Sequence, residues 1–170
     1  QVIFDSMSGE LIVKFDGEYI QMDFPHRRPV KANLPKNIMD SLSYKPIEVL
    51  KSRDYVLVYE NEAQIKNIKI DKELFDKTNL DPGGVVITST GFNSDFVSRY
   101  FVPQCSFFED PVTGSTHCSL VPYWSEKLGK IKMRSIQLSD RGGEMFCEDA
   151  KTRVIINGQA KTYLKGKIYI

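Results

Sequence analysis

The segment EDPVTGST at residues 109–116 combines residue types that can move a proton and hold an anion. Asp110 is followed at once by a proline, and Gly114 lies between the hydroxyls of Thr113 and Ser115. Apolar spacing typical of a helix begins at Ser115, and the first N–H groups of a helix form a ready anion site. Because a bound carboxylate needs N–H donors while the reacting carbon needs a base, the pattern predicts proton transfer on a carbon acid.

A purely structural interpretation of these residue types stays open at this point. Aspartate, serine and threonine are common N-cap residues, so the same segment is also typical of an ordinary helix start. His117 is either a second acid–base group or a packed or surface histidine. Cys118 is either a nucleophile or a core residue. The stretch Arg141-Gly142-Gly143 either presents backbone N–H groups to a ligand or forms a plain turn.

The composition is that of an ordinary globular domain. The chain has 170 residues, of which 41% are hydrophobic and 26% are charged, so we expect one domain with a real core. Lysine and arginine total 23 against 22 acidic residues, which gives no electrostatic reason to expect nucleic acid or a membrane surface as a partner. The first residue is not methionine and no targeting sequence is visible, so we expect a chain that was processed or cut from something longer.

Residues that form disulfides or bind metals are few. The cysteines are Cys105, Cys118 and Cys147, without CxxC spacing, and the two histidines, His26 and His117, are far apart. An odd cysteine count without ligand spacing argues against a disulfide framework and against a zinc site. We therefore predict free thiols, no metal and a cytoplasmic location.

Short β-type segments dominate the chain, and one long helical pattern interrupts them. Hairpins are predicted over residues 11–24 and 47–59. The helical pattern begins at Ser115 and stops at Gly129, with a kink or an early end expected at Pro122. Further strands or extended segments are predicted at 63–70, 85–89, 95–102, 133–138, 144–148, 153–156, 161–164 and 167–170, and short helices at 34–42 and 71–78. The sum is an α+β fold of mostly antiparallel strands wrapped around one central helix.

Residues 109–117, EDPVTGSTH, resemble the EDPxTGSxH signature of the phenazine-biosynthesis-like (PhzF-like) family, which belongs to the diaminopimelate-epimerase superfamily. SRYFVP at 98–103 is similar to the SRYFxP segment of that family. SGEL at 8–11 with MDFP at 22–25 is similar to its first hairpin in this region, and the chain from Gly158 onward is similar to its last strands. The resemblance covers essentially the whole chain.

The resemblance implies a two-domain architecture. Family members are expected to have two similar domains that face each other across an active-site cleft. Residues 1–170 look like a single domain equivalent to the second of these. The first domain would carry a general acid–base glutamate and a Gly-His loop, and no stretch of this sequence resembles either, so the N-terminal domain is expected to be absent.

The resemblance also implies an activity and a set of site residues. The implied function is that of an isomerase or epimerase that transfers a proton on a small carboxylic acid, without metal or organic cofactor, and the chain alone is expected to be inactive. Asp110 matches the motif aspartate and is predicted to be catalytic. Gly114 and Ser115 match the substrate-binding loop, and Thr113 and Gly142 complete the predicted substrate-binding set. A thiol base occupies the Asp110 position in amino-acid epimerase relatives, so a two-cysteine mechanism is not implied.

A non-catalytic module is the competing prediction. In that case the surface that the first domain would cover binds a partner protein or pairs two copies. Under both the isomerase and the non-catalytic prediction, a second copy or the missing N-terminal domain is an expected partner. This alternative predicts that carboxylates have no effect and that an apolar face drives self-association. A thiol enzyme that uses Cys118 is the third alternative.

Overall fold

Twelve strands of residues 1–168, the part of the chain that the structure describes, form one continuous sheet in this computed structural model. In chain order the strands are β1 Val2–Ser6, β2 Gly9–Asp16, β3 Tyr19–Pro25, β4 Val30–Lys31, β5 Glu48–Lys51, β6 Tyr55–Val58, β7 Val85–Thr90, β8 Phe96–Phe101, β9 Glu109–Asp110, β10 Lys132–Gln137, β11 Gly143–Asp149 and β12 Arg153–Gly158. The helices are α1 Lys36–Ser41, α2 Glu62–Asn67, α3 Lys72–Phe75 and α4 His117–Leu128. Side by side the strands follow the order β1-β2-β3-β12-β11-β10-β8-β7-β6-β5-β4, and β9 pairs with β8.

The sheet is mixed, because β6 and β7 run parallel, as do β8 and β10, while the other pairs are antiparallel. Helices α2 and α3 lie in the connection between β6 and β7, and α4 lies in the connection from β8 to β10. Parallel neighbours need such long connections, whereas the predicted hairpins β2–β3 and β5–β6 need only short turns. The arrangement agrees with the predicted α+β class, and complete wrapping of the strands around one helix stays a prediction.

Strands β6, β7 and β8 are buried on both faces. Successive residues of a strand point to opposite sides, and Val56 belongs to a core cluster with α4 while its neighbour Leu57 belongs to a second cluster. The first cluster includes Leu120 and Trp124 of α4. The second is completed by one fully buried side chain from each short helix, namely Ile38, Ile65 and Phe75. Helix α4 therefore covers one face of the central strands, and the short helices cover the other.

Helix α4 continues through Pro122 to Leu128, so of the two predicted alternatives, a kink or an early end at the proline, the early end is wrong. Proline has no N–H to donate to the carbonyl of Cys118 four residues earlier. That carbonyl instead accepts a hydrogen bond from the N–H of Arg27 at 2.8 Å, which ties the chain after β3 to the helix. The helix ends, as predicted, at Gly129, whose φ of 63° lies in the left-handed region that glycine tolerates.

Two extended segments were predicted in places where the structure has no strand. Helix α2 occupies most of residues 63–70, so the prediction of an extended edge is wrong. The side chain of Asn61 caps this helix by accepting a hydrogen bond from the N–H of Gln64, and Ile65 is fully buried. The N-cap of Asn61 and the burial of Ile65 therefore favour a helix here, despite the β-branched isoleucines of this segment. Residues 161–164 form no strand either, and of the strand predicted at 167–170 the last two residues lie outside the described part.

Candidate active site

The two acids of the motif have different environments. Glu109 and Asp110 form the short strand β9, in which neighbouring side chains point to opposite faces. Glu109 accepts two hydrogen bonds from the guanidinium of Arg99, each at 2.7 Å, in a bidentate ion pair that is mostly buried. Asp110 accepts one hydrogen bond, from the hydroxyl of Thr113 at 2.8 Å. Its second carboxylate oxygen has no protein partner within residues 1–168, so Asp110 is the acid left available for chemistry.

Gln137, at the end of β10, holds the loop that carries Asp110. This side chain is 1% exposed. Its oxygen accepts a hydrogen bond from the N–H of Thr113 at 2.8 Å, and its nitrogen donates to the carbonyl of Asp110 at 2.6 Å and to the hydroxyl of Thr113 at 3.2 Å. One buried amide therefore positions both the backbone of the loop and the hydroxyl that orients the carboxylate.

Gln137 is not among the predicted site residues, although the sequence contains one signal for it. The predicted strand at 133–138 has polar residues at Ser135 and Gln137, on the same face as Met133, which is 3% exposed. Polar residues on an inward face need partners inside the protein. The pattern could have indicated a buried polar contact, but nothing in it identifies a partner 27 residues away.

His117 is fully buried, and both of its ring nitrogens are occupied. Nδ1 lies 3.0 Å from the carbonyl oxygen of Thr113, and Nε2 lies 2.9 Å from the hydroxyl of Ser135. Because a carbonyl oxygen can only accept, Nδ1 carries the hydrogen, and Nε2 accepts from Ser135. Burial lowers the pKa of His117 to about 4, so the ring is neutral near pH 7. The geometry supports the packed histidine and gives the acid–base alternative no contact with solvent.

The buried thiols are poor nucleophiles. Cys118 is 2% exposed, and burial raises the pKa of its thiol. Burial also raises the pKa of Cys147, to about 12. A thiolate is the reactive form of cysteine, so the position of Cys118 in the core removes the support for the thiol alternative.

The space beside the Cα of Gly114 is open. A Cβ placed on it would have one protein atom within 4 Å, the terminal methyl carbon of Met22 at 4.0 Å, and its φ is not positive. Neither packing nor backbone conformation therefore requires glycine at this position. Within residues 1–168, the N–H groups of Gly114, Ser115 and Thr116 donate to no protein acceptor, and the hydroxyl of Ser115 has no partner. These unused donors lie where α4 begins, and Ser115 is half-buried.

A cavity of about 690 Å³ adjoins this opening. Gly114 lines it together with Val112 of the motif, and Gly142 lines it from the turn before β11. The remaining lining residues are Tyr19, Ile20, Met22, Arg141, Gly143, Glu144, Met145, Phe146, Gly158, Gln159, Ala160 and Lys161. The fold therefore brings two predicted site residues, Gly114 and Gly142, to one space. Asp110, Thr113 and Ser115 do not line it, and of these three only Thr113 and Ser115 have a chain neighbour, Gly114, in the cavity wall.

The turn at Gly142 is hydrogen-bonded to the motif, and the N–H of Gly142 is already used within the turn. Gly142 has a φ of 70°, and its N–H donates to the carbonyl and hydroxyl oxygens of Ser139 at 3.0 and 3.2 Å. The Ser139 hydroxyl in turn donates to the carbonyl of Pro111 at 2.5 Å. A Cβ on Gly143 would lie 2.5 Å from the side chain of Val112. The glycines of this turn therefore serve conformation and packing, and Gly142 forms cavity wall without a free N–H.

Two further features of the described residues bear on function. Among residues 1–168, no helix combines the length and the apolar character that are needed to cross a membrane. In the same residues, no three histidine, cysteine, aspartate or glutamate side chains come together as a group that could hold a metal ion.

Residues 4–166 match the family model described as phenazine biosynthesis-like protein. Over 167 residues the chain is 38% identical to an uncharacterized isomerase of Pseudomonas aeruginosa, and this alignment covers 98% of the chain and 64% of the relative. It is 36% identical over 173 residues to an uncharacterized isomerase of Halalkalibacterium halodurans, covering 99% of the chain and again 64% of the relative. The chain therefore spans slightly less than two thirds of the length of these relatives.

Solved structures show the same likeness in three dimensions. A putative phenazine biosynthesis PhzC/PhzF protein from Clostridium difficile superposes with a TM-score of 0.85 at 42% identity, over 99% of this chain and 65% of that one. A phenazine biosynthesis protein of the PhzF family from Enterococcus faecalis superposes with a TM-score of 0.86 at 37% identity, with the same coverage. These matches confirm the resemblance that the motif and its flanking segments predict.

Proposed function

This chain belongs to the phenazine biosynthesis-like protein family, and on that premise we propose that it supplies the anion-binding part of a cofactor-independent isomerase site. The substrate class is a small carboxylic acid. The observation that carries the proposal is Gly114, which has no structural need to be glycine, lines a cavity and lies among N–H groups that donate to no acceptor of residues 1–168. The relatives that are named isomerases support the reaction class.

The proposed chemistry is proton transfer at carbon. The substrate carboxylate accepts hydrogen bonds from the N–H groups of Gly114 and Ser115 and from the Ser115 hydroxyl. When the C–H bond next to the carboxylate breaks, the proton passes to a carboxylate base and the electron pair spreads into the enolate. N–H donors that already face the carboxylate stabilise this added charge without reorganising. Return of the proton to another carbon, or to the other face, completes the isomerisation.

Asp110 is the base or acid that this chain contributes. The hydrogen bond from Thr113 orients one carboxylate oxygen and leaves the other to exchange a proton. Thr113 itself is 5% exposed, with its N–H and hydroxyl both engaged, so we replace its predicted role in substrate binding with positioning of Asp110. Gly142 is likewise kept as cavity wall and not as a donor, because its N–H is already used.

The proposal includes a second acid–base group from outside this chain. Moving a proton between two positions commonly uses two groups, and the described residues offer one available acid at the motif. The additional length of the relatives is the proposed source, so the chain alone is expected to be inactive. The cytoplasmic location and the pairing with a second copy stay predictions.

Amide NMR tests the proposal directly. Benzoate titrated into the isotope-labelled chain is expected to shift the amide signals of Gly114 and Ser115, while benzamide, which lacks the charge, is not. Gly114→Ala should abolish the shifts, because a methyl group would occupy the approach to the donors. Gly166→Ala is the matched control, since Gly166 also has open space and no positive φ but does not line the cavity. Shifts that survive in Gly114→Ala, or equal shifts with benzamide, would contradict the proposal.

A non-catalytic pairing module is the second candidate, favoured by an apolar edge. Strand β1 exposes Val2, Ile3 and Phe4 by about half, and the neighbouring Phe15 is 78% exposed. Apolar side chains at a free sheet edge are typical of surfaces that associate. Analytical ultracentrifugation decides between the candidates if Phe4→Ser dissociates a dimer while benzoate leaves all amide signals unchanged.

A further inference from the structure

The cavity beside Gly114 carries unbalanced positive charge. Its charged lining residues are Arg141, Glu144 and Lys161. Glu144 is paired with the guanidinium of Arg134, which neutralises it. Arg141 and Lys161 form no hydrogen bond or ion pair with any group of residues 1–168, and both are exposed. Two cations without acidic partners among residues 1–168 therefore line the same cavity as Gly114.

Arg141 is presented from a rigid support. The following residue, Gly142, is held by Ser139, and Ser139 is bonded to Pro111 of the motif. Gly143 packs closely against Val112. The backbone of Arg141 is thus tied to the segment that carries Gly114 and Asp110. Several other arginines in the described part of the chain are paired with carboxylates, namely Arg28, Arg99, Arg134 and Arg153. A guanidinium fits a carboxylate with two parallel hydrogen bonds, which makes arginine well suited to recognise one.

Apolar side chains cover much of the remaining wall. Ile20 and Met22 of β3, Val112 of the motif and Met145 of β11 all line the cavity. The volume of about 690 Å³ is within the range that small-molecule sites usually have. Such a space fits a compact apolar body with an acidic group at each of two positions.

We infer that the substrate is a small dicarboxylic acid, with one carboxylate at the N–H groups of Gly114 and Ser115 and the second at Arg141. The inference rests on the proposed function and adds the substrate class. Arg141 is the residue that selects for the second charge, and Lys161 adds to the positive potential without a fixed geometry.

Paired probes test this inference on the chain as it exists. Benzoate and isophthalate have the same aromatic body and differ in one carboxylate, and their dissociation constants are measured from the Gly114 amide shift at constant ionic strength. Isophthalate is expected to bind about fivefold more tightly, an effect of the size of one good ion pair at a partly exposed site. Arg141→Gln should erase that preference, so that isophthalate binds no more tightly than benzoate to this variant. Lys77→Gln is the control, since it removes the same charge from an exposed position outside the cavity.

The outcomes separate the inference from the proposed function. If benzoate shifts the Gly114 amide but isophthalate binds no more tightly, or if Arg141→Gln keeps the preference, the dicarboxylate inference is overturned while the anion site stands. If benzoate produces no shift at Gly114, the proposed function fails and this inference fails with it. Equal melting temperatures of the Arg141→Gln and unmodified chains confirm that the comparison is made on folded protein.

Discussion

The inner and outer sides of the segment from Glu109 to His117 use similar residue types in opposite ways. On the inner side, Thr113, Thr116 and His117 are buried, and their side chains make hydrogen bonds within the protein. On the outer side, one carboxylate oxygen of Asp110 and the N–H of Gly114 have no partner among residues 1–168. Buried polar groups need partners, so the inner side stabilises the loop. The donors and acceptors left over on the outer side are the ones a ligand can use.

Substitution of the two acids, Glu109 and Asp110, is expected to give the largest effect that tests this difference between the two sides. In a protein that joins this chain to the additional length seen in its relatives, Asp110→Asn should slow solvent deuterium exchange into a carboxylic-acid substrate by about 10²- to 10⁴-fold, the usual contribution of a general acid or base. Its stability should hardly change. Glu109→Gln should instead lower the free energy of unfolding and leave the exchange rate nearly unchanged, because it leaves the mostly buried Arg99 without its ion pair. If Asp110→Asn proves the more destabilising of the two and retains activity, the assignment of the two sides is wrong.

Gln137→Leu tests the inner side. The leucine fills a similar volume but leaves the N–H of Thr113 and the carbonyl of Asp110 without partners, at a cost of about 2–4 kcal/mol in the free energy of unfolding. Urea denaturation measures the loss. Gln159→Leu, at an exposed position, is the control and should change stability by less than about 0.5 kcal/mol. Similar urea midpoints for Gln137→Leu and Gln159→Leu would show that the amide of Gln137 does not stabilise the loop.

The pH dependence of stability sharpens the role of His117. Its pKa is lowered to about 4 in the folded chain from 6.5, so below pH 6.5 the unfolded chain binds a proton that the folded chain does not. The contribution to stability is complete above pH 6.5 and falls by about 1.4 kcal/mol per pH unit between pH 6.5 and pH 4. Urea unfolding as a function of pH measures this slope. The slope should become shallower in His117→Gln, whereas His26→Gln should retain the contribution of His117. Equal slopes in the two variants would show that His117 does not cause this loss of stability at low pH.

Two glycines provide the smallest expected effect. Gly114→Ala meets no close protein atom and restricts the unfolded chain, so the free energy of unfolding should stay the same or rise by up to about 1 kcal/mol. Gly143→Ala would press a methyl group against Val112 and should lower it by about 1–3 kcal/mol. Thermal denaturation of both variants distinguishes a glycine that is kept open for a ligand from one that packing requires. A destabilised Gly114→Ala would mean that Gly114 is structural as well.

Local features of the chain were sufficient to predict much of the fold. Residues 11–24 form a hairpin because alternating apolar residues flank an Asp-Gly turn, and α4 ends at Gly129 because glycine tolerates a positive φ. The EDPVTGSTH segment indicated both the family and the place of the candidate site. Each of these signals resides in a few consecutive residues, where backbone preferences and side-chain spacing act.

The tertiary structure decided what those residues do. Glu109 and Asp110 are chemically alike and adjacent, and only the guanidinium of Arg99, ten residues earlier, occupies one of them and leaves the other available. Gly114 and Gly143 cannot be told apart by residue type, and the difference is the distance to Val112 or Met22 in the folded chain. The motif, the hairpins and the main helix could thus be read from the residues, since short-range interactions specify them. The role of each site residue depends on partners that only long-range packing brings within hydrogen-bonding or van der Waals distance.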